Sequence, residues 1–241
     1  MDILRPVINK NNKISNDDKN NIDPIEHIEG LKIVTILDAS GSMSSIKDDM
    51  IGSINEFINK QKELKDKLAY MSLVTFNTII TNVYLNTNIQ DVNNIKSDDY
   101  VTTGCTSLFD AIGQTISLFR NEEDVIMIII TDGHENSSKK YNSNNISSLI
   151  KEKEEKKWKF IYLANDISVS KQGDNIGLLD SPYCSNNIVD QDNYGNYLKR
   201  NISDSIYKSR MHGSDILQEL NKSNIEINNN QNDNNQNDNN L

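Results

Sequence analysis

The feature that most constrains the fold is a short apolar run at residues 124–131 (DVIMIIIT), which would be apolar on both faces of a strand. Such a strand must be covered on both sides, which is typical of the centre of a parallel sheet. The runs at residues 31–37 (LKIVTIL) and 159–164 (KFIYLA) are similar. Spanning a bilayer takes about 20 apolar residues, and none of these runs approaches that length. The three runs therefore predict the core of a sheet with packing layers on both faces.

Helical patterns separate these runs. Apolar residues recur at helical spacing in three segments: 46–58, 108–119 and 194–206. Two strand-like runs at residues 70–76 and 79–85 are separated by Asn77 and Thr78, which predicts an antiparallel hairpin. The alternation predicts an α/β fold, namely a Rossmann-like doubly wound, mostly parallel sheet with one antiparallel edge strand and helices on both faces.

Two local patterns refine the helices. Asp192 or Asn193 precedes the last helical segment, and both residue types favour the N-cap position. The charged run at residues 151–157 (KEKEEKK) follows a helix that begins near Ile146. We expect this run to be a solvated helical face.

Composition divides the chain into three parts. Hydrophobic residues make up 36% of the chain, so part of it is expected to lie outside a packed core. Residues 1–24 are rich in Asn, Lys and Asp, and residues 228–240 contain only Asn, Gln and Asp. We expect a disordered leader at 1–24, one domain at 25–210, and a short helix followed by a disordered tail at 211–241.

Charge and cysteine content limit the partners and the compartment. The net charge of −10 disfavours binding to a phosphate backbone, and no membrane partner is expected. The first residues lack the pattern of a signal peptide. Cys105 and Cys184 have neither the number of a disulfide framework nor the spacing of a zinc site. We therefore expect two free thiols in an intracellular, cytoplasmic protein.

Oxygen-bearing side chains follow the predicted strands. Asp38, Ser40 and Ser42 come after the first strand, Thr106 precedes a predicted helix, and Asp132 comes after the most buried strand. Ligands of an open parallel sheet bind beyond the carboxyl ends of its strands. Two carboxylates and three hydroxyls suit a hard divalent cation such as Mg²⁺ or Mn²⁺.

These five residues resemble the metal-ion-dependent adhesion site of the von Willebrand factor A domains, written Asp-x-Ser-x-Ser with a distant Thr and a distant Asp. The resemblance covers about residues 30–210 and is nearest to the compact stand-alone intracellular type. It implies that the set Asp38, Ser40, Ser42, Thr106 and Asp132 holds Mg²⁺ or Mn²⁺. It also implies that a Glu or Asp carboxylate of a partner protein completes the metal shell, without catalysis. Such a domain would act as an adaptor or assembly factor, or would dock onto a larger machine such as an ATPase complex.

Other interpretations remain open from the sequence. Ser40, Ser42 and Thr106 could simply cap helices. A magnesium-dependent phosphohydrolase of haloacid-dehalogenase-like type also places an Asp after its first strand, but it needs Asp-x-Asp where this chain has Ser40. We keep this enzyme as the alternative and expect no catalytic activity.

Three further residues lie near the predicted site. His134 follows the Asp132-Gly133 turn, and we expect it to be solvated. Asp110 is either an acceptor for the loop hydroxyls or an ordinary carboxylate at a helix start. Cys105 adjoins Thr106, and we expect a small buried thiol.

Overall fold

The computed structural model describes residues 23–178 and 181–225. The predicted Asn-rich tail, and the predicted leader apart from its last two residues, lie outside the described residues. Six strands form one sheet: β1 Leu31–Asp38, β2 Ala69–Phe76, β3 Ile80–Asn88, β4 Val125–Thr131, β5 Lys159–Ala164 and β6 Cys184–Ile188.

Helices connect the strands. They are α1 Lys47–Lys62, α2 Leu108–Leu118, α3 Ser143–Glu155, α4 Ile167–Asn175, α5 Tyr194–Tyr197 and α6 Asp204–His212. A π-helical segment, Leu198–Ser203, joins α5 to α6, and a further helix occupies residues 216–225. Short 3₁₀ turns lie at Gly41–Ile46, Ile89–Asp91 and Gln191–Asn193.

The sheet has the strand order β3-β2-β1-β4-β5-β6. All neighbouring strands are parallel except β2 and β3, which form the antiparallel hairpin at one edge. The predicted fold class is therefore confirmed.

Two apolar layers cover the sheet, one on each face. On one face α1 and the helices after β6 pack on the strands, with Phe57, Tyr194 and Leu198 in the core. On the other face α2, α3 and α4 pack on the strands, and Trp158 is fully buried there. Because both faces of β1 and β4 are covered, nearly every residue of these two strands is buried.

The chain reverses its direction of winding between β1 and β4. From β1 it proceeds outward through β2 to β3, and from β4 it proceeds outward the other way through β5 to β6. The loops that leave β1 and β4 therefore diverge and leave a crevice at the carboxyl ends of the two strands. This switch point lies between Asp38, the last residue of β1, and Asp132, the residue after β4.

Several local predictions differ from the structure. The polar sequences of α4 (ISVSKQGDN) and β6 (CSNNI) carry little apolar periodicity, so neither element was predicted. Asn193 is the N-cap residue of α5, as predicted, but its side chain makes no capping hydrogen bond. Asp190 instead accepts a hydrogen bond from the backbone N–H of Asp192. Lys153, within the charged run, is buried because its ammonium donates to the backbone oxygen of Arg120.

Among the helices of the described residues, none is both long and apolar enough to cross a bilayer.

Candidate metal site

Asp38 forms the floor of the crevice at the end of β1. Its side chain is fully buried, and each carboxylate oxygen accepts one hydrogen bond. The backbone N–H of Ser40 donates to Oδ1 at 2.7 Å, and the hydroxyl of Thr131 donates to Oδ2 at 2.6 Å. Because β1 and β4 are paired up to Leu37 and Ile130, Thr131 arrives beside Asp38 as a direct result of the strand register.

Ser42 and Asp132 face each other across the crevice. The Ser42 hydroxyl donates to Asp132 Oδ1 at 2.7 Å, and the Ser40 and Ser42 hydroxyl oxygens are 3.0 Å apart. A hydroxyl that donates its proton to a carboxylate keeps its lone pairs for another partner. Ser40 and Asp132 are buried whereas Ser42 is exposed, so the crevice opens to solvent at Ser42.

Thr106 reaches the same place from the loop before α2. A methyl group built on Gly133 would lie 3.0 Å from Thr106 Oγ1 and 3.8 Å from Asp38 Oδ2, so both oxygens border this glycine. Asn136 fixes the loop, because its side chain accepts from the backbone N–H of Thr106 at 3.0 Å and its own N–H donates to the backbone oxygen of Thr106 at 3.0 Å. The structure therefore brings all five predicted residues to the switch point.

A further carboxylate, that of Glu135, holds this loop in place. Glu135 accepts hydrogen bonds from the backbone N–H groups of Phe109, Ser137 and Ser138 and from the Ser138 hydroxyl, at 2.6 to 2.9 Å. Glu135 thus ties the loop after β4 to the start of α2. Asp110 plays a similar role in the first turn of α2, where it accepts from three backbone N–H groups, those of Lys139, Lys140 and Tyr141. Asp110 therefore anchors a loop and is not an acceptor for the site hydroxyls.

Burial affects the ionisation of both carboxylates in the crevice. Burial raises the pKa of Asp38 to about 6, although the hydrogen bonds from Thr131 and Ser40 oppose this rise. Burial also raises the pKa of Asp132, against the hydrogen bond from Ser42. Within the described part of the chain, no ion pair links Asp38 or Asp132 to a basic side chain. Two carboxylates held together without a counter-cation favour the binding of one.

The chemistry of the donor set fits a hard divalent cation. All five side chains offer oxygen, two of them as carboxylates, which is the ligand type that Mg²⁺ and Mn²⁺ prefer. Residues 23–178 and 181–225 contain no cluster of three or more His, Cys, Asp and Glu side chains able to hold a metal. The five residues at the switch point are not a cluster of that type, because three of them bear hydroxyls and only two bear carboxylates.

The alternative roles considered from the sequence find little support. Ser40 is the N-cap residue of the 3₁₀ turn, but its side chain makes no capping hydrogen bond. The N-cap residue of α2 is Ser107 and not Thr106. His134 is exposed as predicted, and its ring nitrogen lies 2.9 Å from the Ser168 hydroxyl. Cys105 and Cys184 are both free. Cys105 is exposed, so the prediction of a buried thiol beside Thr106 is wrong.

Two side chains of the crevice had no signal in the sequence. The Tyr100 hydroxyl donates to the backbone oxygen of Asp38 at 2.6 Å from a fully buried position. The Gln191 side-chain nitrogen lies 2.7 Å from Asp132 Oδ2. Both residues come from loops of ordinary polar composition, and only the tertiary structure brings them to the site.

Sequence comparison identifies one family. The profile of the von Willebrand factor type A domain matches residues 32–186. No curated protein sequence matches the chain.

Solved structures resemble the fold at low sequence identity. The pilus adhesin SpaC from Lactobacillus rhamnosus GG, in an open conformation, has a TM-score of 0.57 and 12% identity over 78% of this chain and 31% of that one. The PilB minor pilin from Streptococcus sanguinis has a TM-score of 0.56 and 14% identity over 78% and 62%. A von Willebrand factor type A protein from Catenulispora acidiphila has a TM-score of 0.53 and 16% identity over 75% and 43%. This chain therefore spans less than two thirds of each of these proteins, and the likeness concerns the fold alone.

Proposed function

Since this chain belongs to the von Willebrand factor type A domain family, we propose that it binds a partner protein through a divalent cation. The ligands of the cation are the five oxygen-bearing side chains at the switch point: Asp38, Ser40, Ser42, Thr106 and Asp132. They form a complete metal-ion-dependent adhesion site, and Mg²⁺ or Mn²⁺ supplies an electrophilic centre for an external carboxylate when bound.

One observation carries this proposal. Asp38 and Asp132 lie together in a crevice with three hydroxyls, and no basic side chain among the described residues pairs with either carboxylate. Keeping two such carboxylates partly or fully buried is unfavourable unless a cation offsets the charge. Only two of the five ligands are charged, so a bound divalent cation would keep a strong attraction for one more anionic ligand.

The partner follows from this chemistry. A Glu or Asp side chain of another protein is the simplest ligand that adds one negative charge at the exposed, Ser42 side of the crevice. We assign the chain a role as an adaptor or assembly factor. Docking onto an ATPase complex and an intracellular location are proposed from the sequence alone.

Catalysis is not part of the proposal. A haloacid-dehalogenase-like phosphohydrolase needs a second carboxylate two residues after the first, and Ser40 occupies that position. A magnesium-dependent phosphatase activity that is lost in Asp38→Asn would overturn the non-enzymatic assignment.

Calorimetric titration of Mg²⁺ and Mn²⁺ into the purified chain tests the metal site. We expect saturable binding that Asp38→Ala and Thr106→Ala lose. Ser44→Ala is the matched control for Ser42→Ala, because Ser44 lies in the same turn but its exposed hydroxyl donates to Thr102 instead, at 3.0 Å. Ser42→Ala should weaken binding and Ser44→Ala should not. Equal affinity in the wild type and Asp38→Ala, or no binding at all, would refute the site.

Affinity capture from the native source tests the partner. Proteins retained by the wild type in Mg²⁺, released by a chelator and absent with Asp38→Ala would support recognition through the metal. Retention that is indifferent to both the chelator and the substitution would contradict it.

A further inference from the structure

The crevice contains a side chain that comes from outside the part of the chain matched by the family. Gln191 lies in the 3₁₀ turn Gln191–Asn193, after β6, whereas the family profile ends at residue 186. Its side-chain nitrogen Nε2 is 2.7 Å from Asp132 Oδ2 and 3.3 Å from the backbone oxygen of Ser42. A primary amide nitrogen has two hydrogens, so one Gln191 nitrogen supplies one donor to each acceptor.

These two acceptors belong to different loops of the site. Ser42 is in the loop that leaves β1, and Asp132 is in the loop that leaves β4. At a switch point these loops run apart, and the Ser42 hydroxyl already links them through its 2.7 Å hydrogen bond to Asp132. Gln191 adds a second link between the two sides of the crevice.

The bridge also fixes the orientation of one carboxylate. Asp132 Oδ1 accepts from the Ser42 hydroxyl at 2.7 Å, and Oδ2 accepts from Gln191 at 2.7 Å. With one donor on each oxygen, rotation of the Asp132 carboxylate costs both hydrogen bonds. A neutral amide holds the carboxylate without cancelling its charge, whereas a lysine at the same place would compete with a cation.

The turn that carries Gln191 is itself anchored to the same strand end. The hydroxyl of the buried Tyr194 donates to the backbone oxygen of Thr131 at 2.8 Å. Asp190 accepts from the backbone N–H of Asp192 at 3.3 Å and so holds the turn locally. Gln191 thus extends from a segment whose position relative to β4 is set independently of its own side chain.

We propose that Gln191 is a positioning residue of the metal site, which clamps Ser42 and Asp132 in the arrangement that receives the cation. This inference rests on the proposed function, because it assigns a sixth residue to the same site. Gln191 acts through Asp132 and the backbone of Ser42, and it does not itself ligate the cation. Residues that orient the ligands of a metal typically change its affinity by about 10- to 100-fold when they are removed.

The test is a Mn²⁺ titration of the full chain with Gln191→Ala, beside Gln90→Ala as the matched control. Gln90 is also a glutamine whose side chain donates to a backbone oxygen, that of Lys62 at 3.1 Å, but it lies on an exposed turn after β3. We expect Gln191→Ala to raise the Kd for Mn²⁺ by about tenfold, and Gln90→Ala to leave it unchanged.

A readout without metal separates positioning from general destabilisation. In the metal-free protein we expect the thermal midpoints of the two variants to lie close together, because Gln191 is only half-buried and Gln90 is exposed, although Gln191→Ala removes two side-chain hydrogen bonds and Gln90→Ala removes one. Amide hydrogen exchange at residues 42–44 should be faster in Gln191→Ala only, because the clamp on the backbone of Ser42 is gone.

The outcomes distinguish the two proposals. If the wild type binds Mn²⁺ and Gln191→Ala binds it equally well, Gln191 has no positioning role and the metal site stands. If the wild type binds no metal, the proposed function fails and the assignment of Gln191 fails with it. A Gln191→Ala protein that melts far below Gln90→Ala would show that Gln191 acts on the fold as a whole, which also contradicts the proposal.

Discussion

The hydroxyl of Thr131 donates a 2.6 Å hydrogen bond to Asp38 Oδ2 and so joins the ends of the two central strands at the point where their loops diverge. This bond and the one from the Ser40 backbone N–H are donated to a carboxylate that is fully buried. Two hydrogen bonds do not replace the hydration of a charged group. The energetic consequences of Asp38 are therefore measurable even before a metal or a partner is added.

The first prediction concerns the pH dependence of stability. Burial raises the pKa of Asp38 to about 6 in the folded chain, against 3.8 for an ordinary Asp, so the folded state binds a proton more tightly than the unfolded state. The Asp38 contribution should therefore increase the free energy of unfolding of the metal-free protein as the pH falls from about 7 to about 4, by an amount of the order of 2 kcal/mol. Urea denaturation in steps of pH measures this.

The control isolates Asp38 from other carboxylates. Asp38→Asn cannot ionise and should lack this increase, so the comparison with the wild type gives the contribution of one residue. Asp99→Asn changes an exposed carboxylate that accepts from the backbone N–H of Lys96 at 2.8 Å, and it should follow the wild type. Identical pH profiles for the wild type and Asp38→Asn would contradict the argument.

The second prediction concerns Gly133, the residue between Thr106 and Asp38. A methyl group there would lie 3.0 Å from Thr106 Oγ1, so Gly133→Ala must displace that hydroxyl by a few tenths of an ångström. We expect weaker Mn²⁺ binding with little change in the thermal midpoint. Gly41→Ala is the control, because the nearest atom to its methyl group is 3.7 Å away although it lies in the same crevice. Unchanged affinity in Gly133→Ala would mean that Thr106 is not a ligand.

The third prediction concerns the opposite end of the sheet. Lys32 and Glu122 form a buried ion pair of 2.6 Å. Glu122→Gln would leave the ammonium of Lys32 buried without its counter-charge, and we expect a loss of about 3 kcal/mol in chemical denaturation. Glu63→Gln, which breaks the surface pair with Lys60 at 3.1 Å, should cost less than about 1 kcal/mol. Similar costs for the two variants would show that the buried pair has no special role.

Sequence patterns predicted the parts of this molecule in which one physical requirement dominates. A strand covered on both faces must be apolar throughout, so β1, β4 and β5 were visible as runs. The rule that ligands lie at the carboxyl ends of parallel strands then placed Asp38 and Asp132 together. Where tertiary contacts decide, the patterns failed. The edge strand β6 is mostly polar, and Lys153 is buried in a charged run because a backbone oxygen receives its ammonium.

The same limit applies to the site. Four of the five proposed metal ligands could be predicted because they lie at or just after the ends of β1 and β4, and Thr106 because it precedes a predicted helix. Gln191 and Tyr100 were not, since each reaches the crevice from a loop of ordinary polar composition. Their roles depend on how these two loops fold back over the sheet, and no periodicity in the sequence predicts that.

The last prediction uses two glycines that lie inside helices and should respond in opposite ways to the same substitution. A methyl group on Gly52 in α1 would have no atom within 4 Å, so Gly52→Ala should stabilise the protein by about 1 kcal/mol through helix propensity. In α2 a methyl group on Gly113 would lie 2.6 Å from the ring of Tyr141, whose backbone N–H donates to Asp110 at 2.9 Å. The ring and the loop behind it must move, and Gly113→Ala should cost about 1 to 3 kcal/mol. Thermal and urea denaturation of both variants measure this, and stabilisation by both would show that the Tyr141 ring yields without cost.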